Sequence, residues 1–206
     1  MKKNIIHILC VLSTFYVKAN KLPNIVLIYA DDQGWMDTGY QTKGQFQTPT
    51  LDKLAKHGMT FTNAYTNAAN CQPARACLLS GNYTARHHVF AVGSTNRGPK
   101  QKMRLTPTPN RDGLAVEDIT IADALKGAGY ASGHFGKWHL YTKNGKGGGG
   151  ALPSQQGFDV TYDSFGDGEL PEGAKGNKPG PKSDPKGVFD LSKQACDFME
   201  VNKDKP

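Results

Sequence analysis

The first patterned stretch of the chain is Asn24-Ile25-Val26-Leu27-Ile28-Tyr29, an almost unbroken apolar, β-branched run bounded by Pro23 and by Asp31-Asp32. Such a run predicts a strand over residues 24–29 buried on both faces, as in a parallel sheet. Helical spacing follows. Thr48-Pro49 offers an N-cap and a proline at the first helical position, Leu51, Leu54 and Ala55 share one face, and Gly58 ends the segment. A second helix is expected from near Pro73 through Ala76-Cys77-Leu78-Leu79 to Gly81. A third opens on Thr120-Ile121-Ala122-Asp123, a start like a capping box, and closes over residues 127–129. Residues 130–135 read as another short strand, and the helical period returns over 191–201, with Leu191, Ala195, Phe198 and Met199 apolar. Strands alternating with helices predict an α/β fold.

Residues 143–187 break the pattern. Gly147-Gly148-Gly149-Gly150 and the Gly, Pro and Lys of 173–187 are poor core material, so this stretch is expected to be long loops. The chain then ends on Lys203-Asp204-Lys205-Pro206, a loop with no closing strand. At 206 residues, with 37% hydrophobic positions, the length suits one full domain or a domain and a piece. No apolar run reaches the roughly 18 residues of a membrane span, which excludes a multispanning protein. Four cysteines are too few for a disulfide scaffold.

The N-terminus changes the reading of the charge. Lys2-Lys3, an apolar stretch over 5–17 and Val17-Lys18-Ala19 have the build of a secretory signal peptide, residues 1–19. The expectation is export to the periplasm or the outside, with no membrane span left after cleavage. Losing Lys2, Lys3 and Lys18 takes the formal charge from +7 to +4, which suits anionic ligands. The basic residues over 97–111 lack interleaved aromatics, so they read as a solvated loop and no nucleic-acid partner is expected.

Chemistry concentrates in three places. Asp31-Asp32 follows the opening strand, where ligands of open α/β sheets gather, and paired carboxylates suit a hard divalent ion; a plain strand-to-loop turn is the other reading. In Cys71-Gln72-Pro73-Ala74-Arg75 a cysteine stands at the start of a helix with arginine four residues on. Free backbone N–H groups and a forked cation there favour a tetrahedral oxyanion such as sulfate or phosphate. Otherwise Cys71 is a small buried hydrophobe, the ordinary fate of a free cysteine, and Cys77 and Cys196 read that way more strongly. Lys137 and His139 alternate on an extended segment, so both can face one side, pairing a fixed cation with a proton carrier.

Together the three segments resemble the type I, arylsulfatase-like sulfatase family of the alkaline-phosphatase-like superfamily. Cys71-Gln72-Pro73-Ala74-Arg75 matches Cys-x-Pro-x-Arg, and 129–139 is similar to the second signature of the family. Asp31-Asp32-Gln33-Gly34-Trp35, the segment 48–55 and Phe61-Thr62-Asn63-Ala64-Tyr65 add matches in the right order, over about 23–206. The resemblance implies an alkaline-phosphatase-like fold, incomplete in this chain, whose catalytic part fills residues 20–206. It implies hydrolysis of sulfate esters by formylglycine, made from Cys71 by a maturation enzyme, with Ca2+ held by Asp31, Asp32 and residue 71. Arg75 would hold residue 71 and balance charge, Lys137 would bind a sulfate oxygen, and His139 would bond the hydrated aldehyde. The substrate would be a sulfated small molecule or a sulfated polysaccharide.

Gln72, Ser80, Phe135, Tyr141 and the pair His87-His88 depart from the usual pattern. Family members also carry further metal ligands in a second stretch, so a truncated chain, inactive by itself, is expected. The alternatives are a phosphonate or phosphate ester hydrolase on the same site, or a non-catalytic fragment that binds sulfated glycans through Arg75 and Lys137.

Overall fold

The computed structural model describes residues 22–142, 149–164, 175–176 and 187–205. Residues 1–19, where a signal peptide is expected, lie outside these, as do 143–148 and most of 165–186. In chain order the helices are α1 (Gly39–Thr42), α2 (Pro49–His57), α3 (Cys71–Ser80), α4 (Thr84–His87), α5 (Ile121–Lys126) and α6 (Val188–Asn202). The strands β1 (Gly133–Gly136), β2 (Val160–Asp163) and β3 (Lys175–Gly176) form one parallel sheet in that order. Gly133 pairs with Val160 and Gly136 with Asp163, while Tyr162 pairs with Lys175. The α/β layering expected from the alternation is therefore present, and the sheet is small and parallel.

The opening run does not become a strand. Residues 23–30 make no ladder, and Ile25, Val26, Leu27 and Ile28 are exposed, Ile28 to 80%. An apolar run supplies faces for packing, but a strand also needs a neighbouring edge for its N–H and C=O groups, and among the described residues none pairs with this one. The segment is instead held at points. Tyr130 Oη donates to Pro23 O (2.9 Å), and Asn24 Nδ2 donates to Lys203 O (3.0 Å). The sheet comes from later residues, two of its strands falling within the 143–187 stretch read as loop. There Ala151, Gln156 and Pro153 are buried as well, so short apolar pieces between glycines do reach the core.

The helices follow the sequence more closely. Thr120 caps α5 through a full capping box, its Oγ1 accepting from Asp123 N (3.3 Å) while Asp123 Oδ2 accepts from Thr120 N (3.0 Å). α2 begins at Pro49, but Thr48 makes no capping bond; its hydroxyl accepts from Gly39 N (2.7 Å) and donates to Asp52 (2.8 Å). Leu54 on the expected inner face of α2 stays 63% exposed. α3 starts at Cys71, two residues before the proline, because Pro73 still falls among the first-turn positions that need no N–H partner. α6 lays Phe198 against Phe135 of β1, ring centroids 5.6 Å apart. Cys196 on α6 is exposed, not core, since it faces away from that contact.

The core gathers Ala76, Val89, Leu114, Trp138 and Leu140. Trp138 is tied twice, its backbone N–H to Asp163 Oδ1 (3.1 Å) and its indole to Ala151 O (2.9 Å). Gly113 and Gly150 let the chain pass Leu140: a Cβ on Gly113 would stand 1.7 Å from Leu140 O, and one on Gly150 2.1 Å. Cys77 is buried beside His87, with Sγ and Nε2 3.3 Å apart. Val89 N–H donates to His87 Nδ1 (3.1 Å), so the neutral ring carries its proton on Nε2 and gives it to sulfur. Burial pushes the Cys77 thiol up and the His87 imidazole down, which keeps both neutral and unreactive.

His134 on β1 meets Trp138 and Phe158 edge-on at 5.1 and 5.4 Å. Burial, with the Arg75 charge added, lowers it from the usual 6.5 to about 4. The unfolded chain therefore takes up this proton first as pH falls. Stability is expected to drop by about 3 kcal/mol at most between pH 6.5 and 4, with no effect above that window. Urea titrations at stepped pH check this: His134→Phe should flatten the slope over that window.

Candidate active site

Cys71 is the first residue of α3, with Asn70 in extended backbone before it, and its side chain is half-buried. One turn on, Arg75 is only 8% exposed. Its Nη2 donates to Asp31 Oδ1 (3.0 Å), its Nη1 to Lys137 O (2.5 Å), and its guanidinium lies over the Tyr29 ring at 5.2 Å. Lys137 Nζ donates to the other oxygen, Asp31 Oδ2, at 2.7 Å. Three residues from three distant stretches thus close one charged knot beside the helix carrying Cys71. Two cations on one carboxylate leave it net positive, the balance an oxyanion needs.

Burial opposes ionisation of Asp31, but the bonds from Lys137 and Arg75 and their charges outweigh it and hold the carboxyl below its usual value. Asp32 is exposed and sits in left-handed backbone (φ 58°), which turns the chain immediately after the knot. β1 ends at Gly136, so Lys137 and His139 do not share an extended strand. Lys137 turns to Asp31, while His139 is half-buried in left-handed backbone (φ 60°). The alternation that the spacing suggests is not kept, because the strand ends before Lys137 and His139 leaves extended backbone.

Oxygen donors such as Asp31 and Asp32 suit calcium. Among the described residues, however, no three His, Cys, Asp or Glu groups gather where one ion could hold them. Both oxygens of Asp31 are moreover engaged by cations. Asp31, Asp32 and residue 71 do not by themselves make a calcium shell.

One part of the site was not read from the sequence. Gln72 is 2% exposed, and its amide is satisfied by backbone at both ends. Nε2 donates to Asp112 O (2.7 Å), and Gly93 N–H donates to Oε1 (3.3 Å). Asn110 works beside it, accepting from Phe90 N and Ala91 N and donating to Ala91 O and Gly93 O. These two amides pin the start of α3 to the chain around 90–93 and 110–112. Asn between Pro109 and Arg111 was the available signal, but a sequence does not say which backbone an amide will meet. His87, half of the pair that departs from the family pattern, is in the core at 1% exposure.

The knot falls on the residues whose spacing carried the resemblance, and the sequence pattern of the family described as Sulfatase matches residues 23–203. The chain belongs to the sulfatase family. Arylsulfatase A of Homo sapiens is 41% identical to this sulfatase chain over 137 residues, covering 66% of it and 24% of the relative. N-acetylgalactosamine-6-sulfatase of Sus scrofa is 36% identical over 137 residues, covering 65% of it and 25% of the relative. The chain therefore spans about a quarter of the length of these curated relatives. Among solved structures, that of Ps i-CgsB superposes with a TM-score of 0.53 at 28% identity, covering 84% of this chain and 33% of that one. The fold is accordingly the alkaline-phosphatase-like α/β fold of sulfatases, present in part.

Proposed function

We propose that this sulfatase chain carries the nucleophile and anion-holding half of a site that hydrolyses sulfate esters. The observation that carries it is the convergence of Arg75 and Lys137 on Asp31, one helical turn from Cys71. Oxidised to formylglycine by a maturation enzyme, residue 71 supplies a hydrated aldehyde whose hydroxyl is the nucleophile. Its place in the first turn of α3 points free backbone N–H groups at incoming negative charge. Arg75 holds Asp31 and the Lys137 carbonyl, which fixes where the Lys137 ammonium starts. Exchange of Asp31 for a sulfate oxygen gives Lys137 its role in the reaction, stabilising charge that grows as the ester bond breaks. His139, two residues on, is the group proposed to bond residue 71 and move its proton.

Asp31 and Asp32 contribute to a calcium site in this proposal only with ligands beyond the described residues. For that reason the 206 residues alone are expected to release no sulfate. The exported location belongs to the same proposal and rests on residues 1–19. The substrate class is a sulfate ester on a sugar or small alcohol, which suits the N-acetylgalactosamine-6-sulfatase relative.

The test uses the chain extended with the C-terminal portion of a relative and expressed with the maturation enzyme. Peptide mass spectrometry should find formylglycine at position 71. A paired assay on the sulfate and phosphate esters of one aryl alcohol should favour sulfate. Unmodified thiol in an active protein would remove the formylglycine reading. Preference for the phosphate ester would move the site to phosphate ester hydrolysis.

A further inference from the structure

We propose that Arg97, Lys100, Lys102 and Arg104 form a second anion site, one that holds sulfate groups of a polysulfated glycan other than the group being cleaved. The proposal rests on the sulfate-ester reading above and adds the class of substrate. Between His88 and Asp112 the chain has no acidic residue, and these four cations fall within eight positions. All four are exposed. None forms an ion pair among the described residues, whereas neighbouring Arg111 pairs with Asp118 (3.7 Å) and Lys126 with Asp159 (3.4 Å). Like charges within eight residues and without an acid repel one another weakly through water, and an anion that joins them relieves that repulsion.

The loop that carries them is built, and it is rooted at the nucleophile. Thr95 Oγ1 donates to Thr108 O (2.5 Å) and closes its neck. Below the neck, the Asn110 amide bonds Phe90, Ala91 and Gly93, and Gly93 N–H meets Gln72 Oε1, one residue from Cys71. At the tip, Pro99 leads into a short 3-10 turn over Lys100–Lys102, with Lys102 N bonded to Pro99 O (2.9 Å) and Met103 N to Lys100 O (3.2 Å). About six residues out and six back limit the reach to roughly 20 Å from the neck, so the cations stay near the site.

A ligand that engages both residue 71 and this loop must be long and carry several negative charges. A monosulfated small ester cannot do both; a polysulfated oligosaccharide can. Nucleic acid fits less well, because residues 91–112 contain no aromatic side chain on which bases could stack.

The experiment measures equilibrium binding of the 206-residue chain to a persulfated hexasaccharide and to its monosulfated counterpart, over a range of salt. Three proteins are compared: the unaltered chain, R97Q/K100Q/K102Q/R104Q, and K53Q/K56Q/K126Q/K205Q, which removes the same charge elsewhere. In the loop variant the persulfated ligand should bind about 10-fold or more weakly, and the slope of log Kd against log salt should fall by roughly one per engaged cation. Binding of the monosulfated ligand should be unchanged, and the second variant should lose less than about 3-fold. Circular dichroism and urea midpoints check that both variants fold, and the salt slope of the unaltered chain stands without any variant.

The site is overturned if the loop variant binds the persulfated ligand as well as the unaltered chain does, or if both variants lose alike. A salt-independent affinity, or equal loop-dependent binding of a single-stranded DNA of matching charge, would overturn it too. Failure of the hydrolase reading looks different. No ester would then be cleaved by the extended chain, while the loop-dependent binding would persist.

Discussion

Arg75→Ala is expected to lower the unfolding free energy by about 3 kcal/mol, the largest stability effect of any single replacement at the site. The side chain is 8% exposed and makes two charge-assisted bonds, to Asp31 and to the Lys137 carbonyl. Truncation empties a packed space at Tyr29, removes the bond to that carbonyl and takes one of the two cations from Asp31. Arg75→Lys should recover part of the loss, because an ammonium can reach one partner but cannot span both as the fork does. Urea unfolding of the three proteins at pH 7 measures the difference. Acid provides a second reading. The Asp31 carboxyl titrates below its usual value in the folded chain, so its contribution is complete above about pH 4 and fades as pH falls through the lowered value. Without Arg75 that loss should begin at the same pH but be smaller and complete at a higher pH, because the folded carboxyl then titrates closer to its unfolded value. An acid profile identical in both proteins would show that the knot contributes nothing to stability.

Cys71→Ala should remove sulfate release from the extended, matured protein altogether, a loss of at least about 10^4 in kcat. No other residue of the proposed site can supply the attacking oxygen. Lys137→Met should act differently, lowering kcat by about 10^2 to 10^3 while leaving formylglycine formation intact, because its ammonium is proposed to work on charge that grows during the reaction. Release of the aryl alcohol is followed under saturating ester, with mass spectrometry of residue 71 as the control. Cys71→Ala should unfold at nearly the same urea concentration as the parent if Cys71 only reacts. A matched loss of stability in Cys71→Ala would assign it to packing instead.

Helix starts were legible because their causes are local. The Thr120 capping box is four residues long and needs nothing else to form, and the Gly58 and Gly81 stops likewise act on their own neighbours. The spacing of two residues of the proposed site was legible for a similar reason: Cys71 and Arg75 lie one turn apart on a single helix. Lys137 and Asp31 were named separately, yet nothing in the chain states that they bond. That pair spans 106 residues, and its geometry depends on where β1 stops. Gln72 shows the limit most plainly. Read as a departure from a motif, it is in the structure a buried brace whose two partners lie at Gly93 and Asp112.

What the sequence determined by itself is therefore the helices with local start and stop signals, the family and the charged residues proposed for the site. The tertiary structure decided which apolar segments found partners. Residues 24–29 have the strongest strand composition in the chain and remain exposed without a ladder, whereas Val160–Asp163, set among glycines and polar residues, pairs with β1. Composition measures how well a segment would pack against a neighbour. A strand forms only where another edge is present to take its N–H and C=O groups, and that edge is a property of the whole fold.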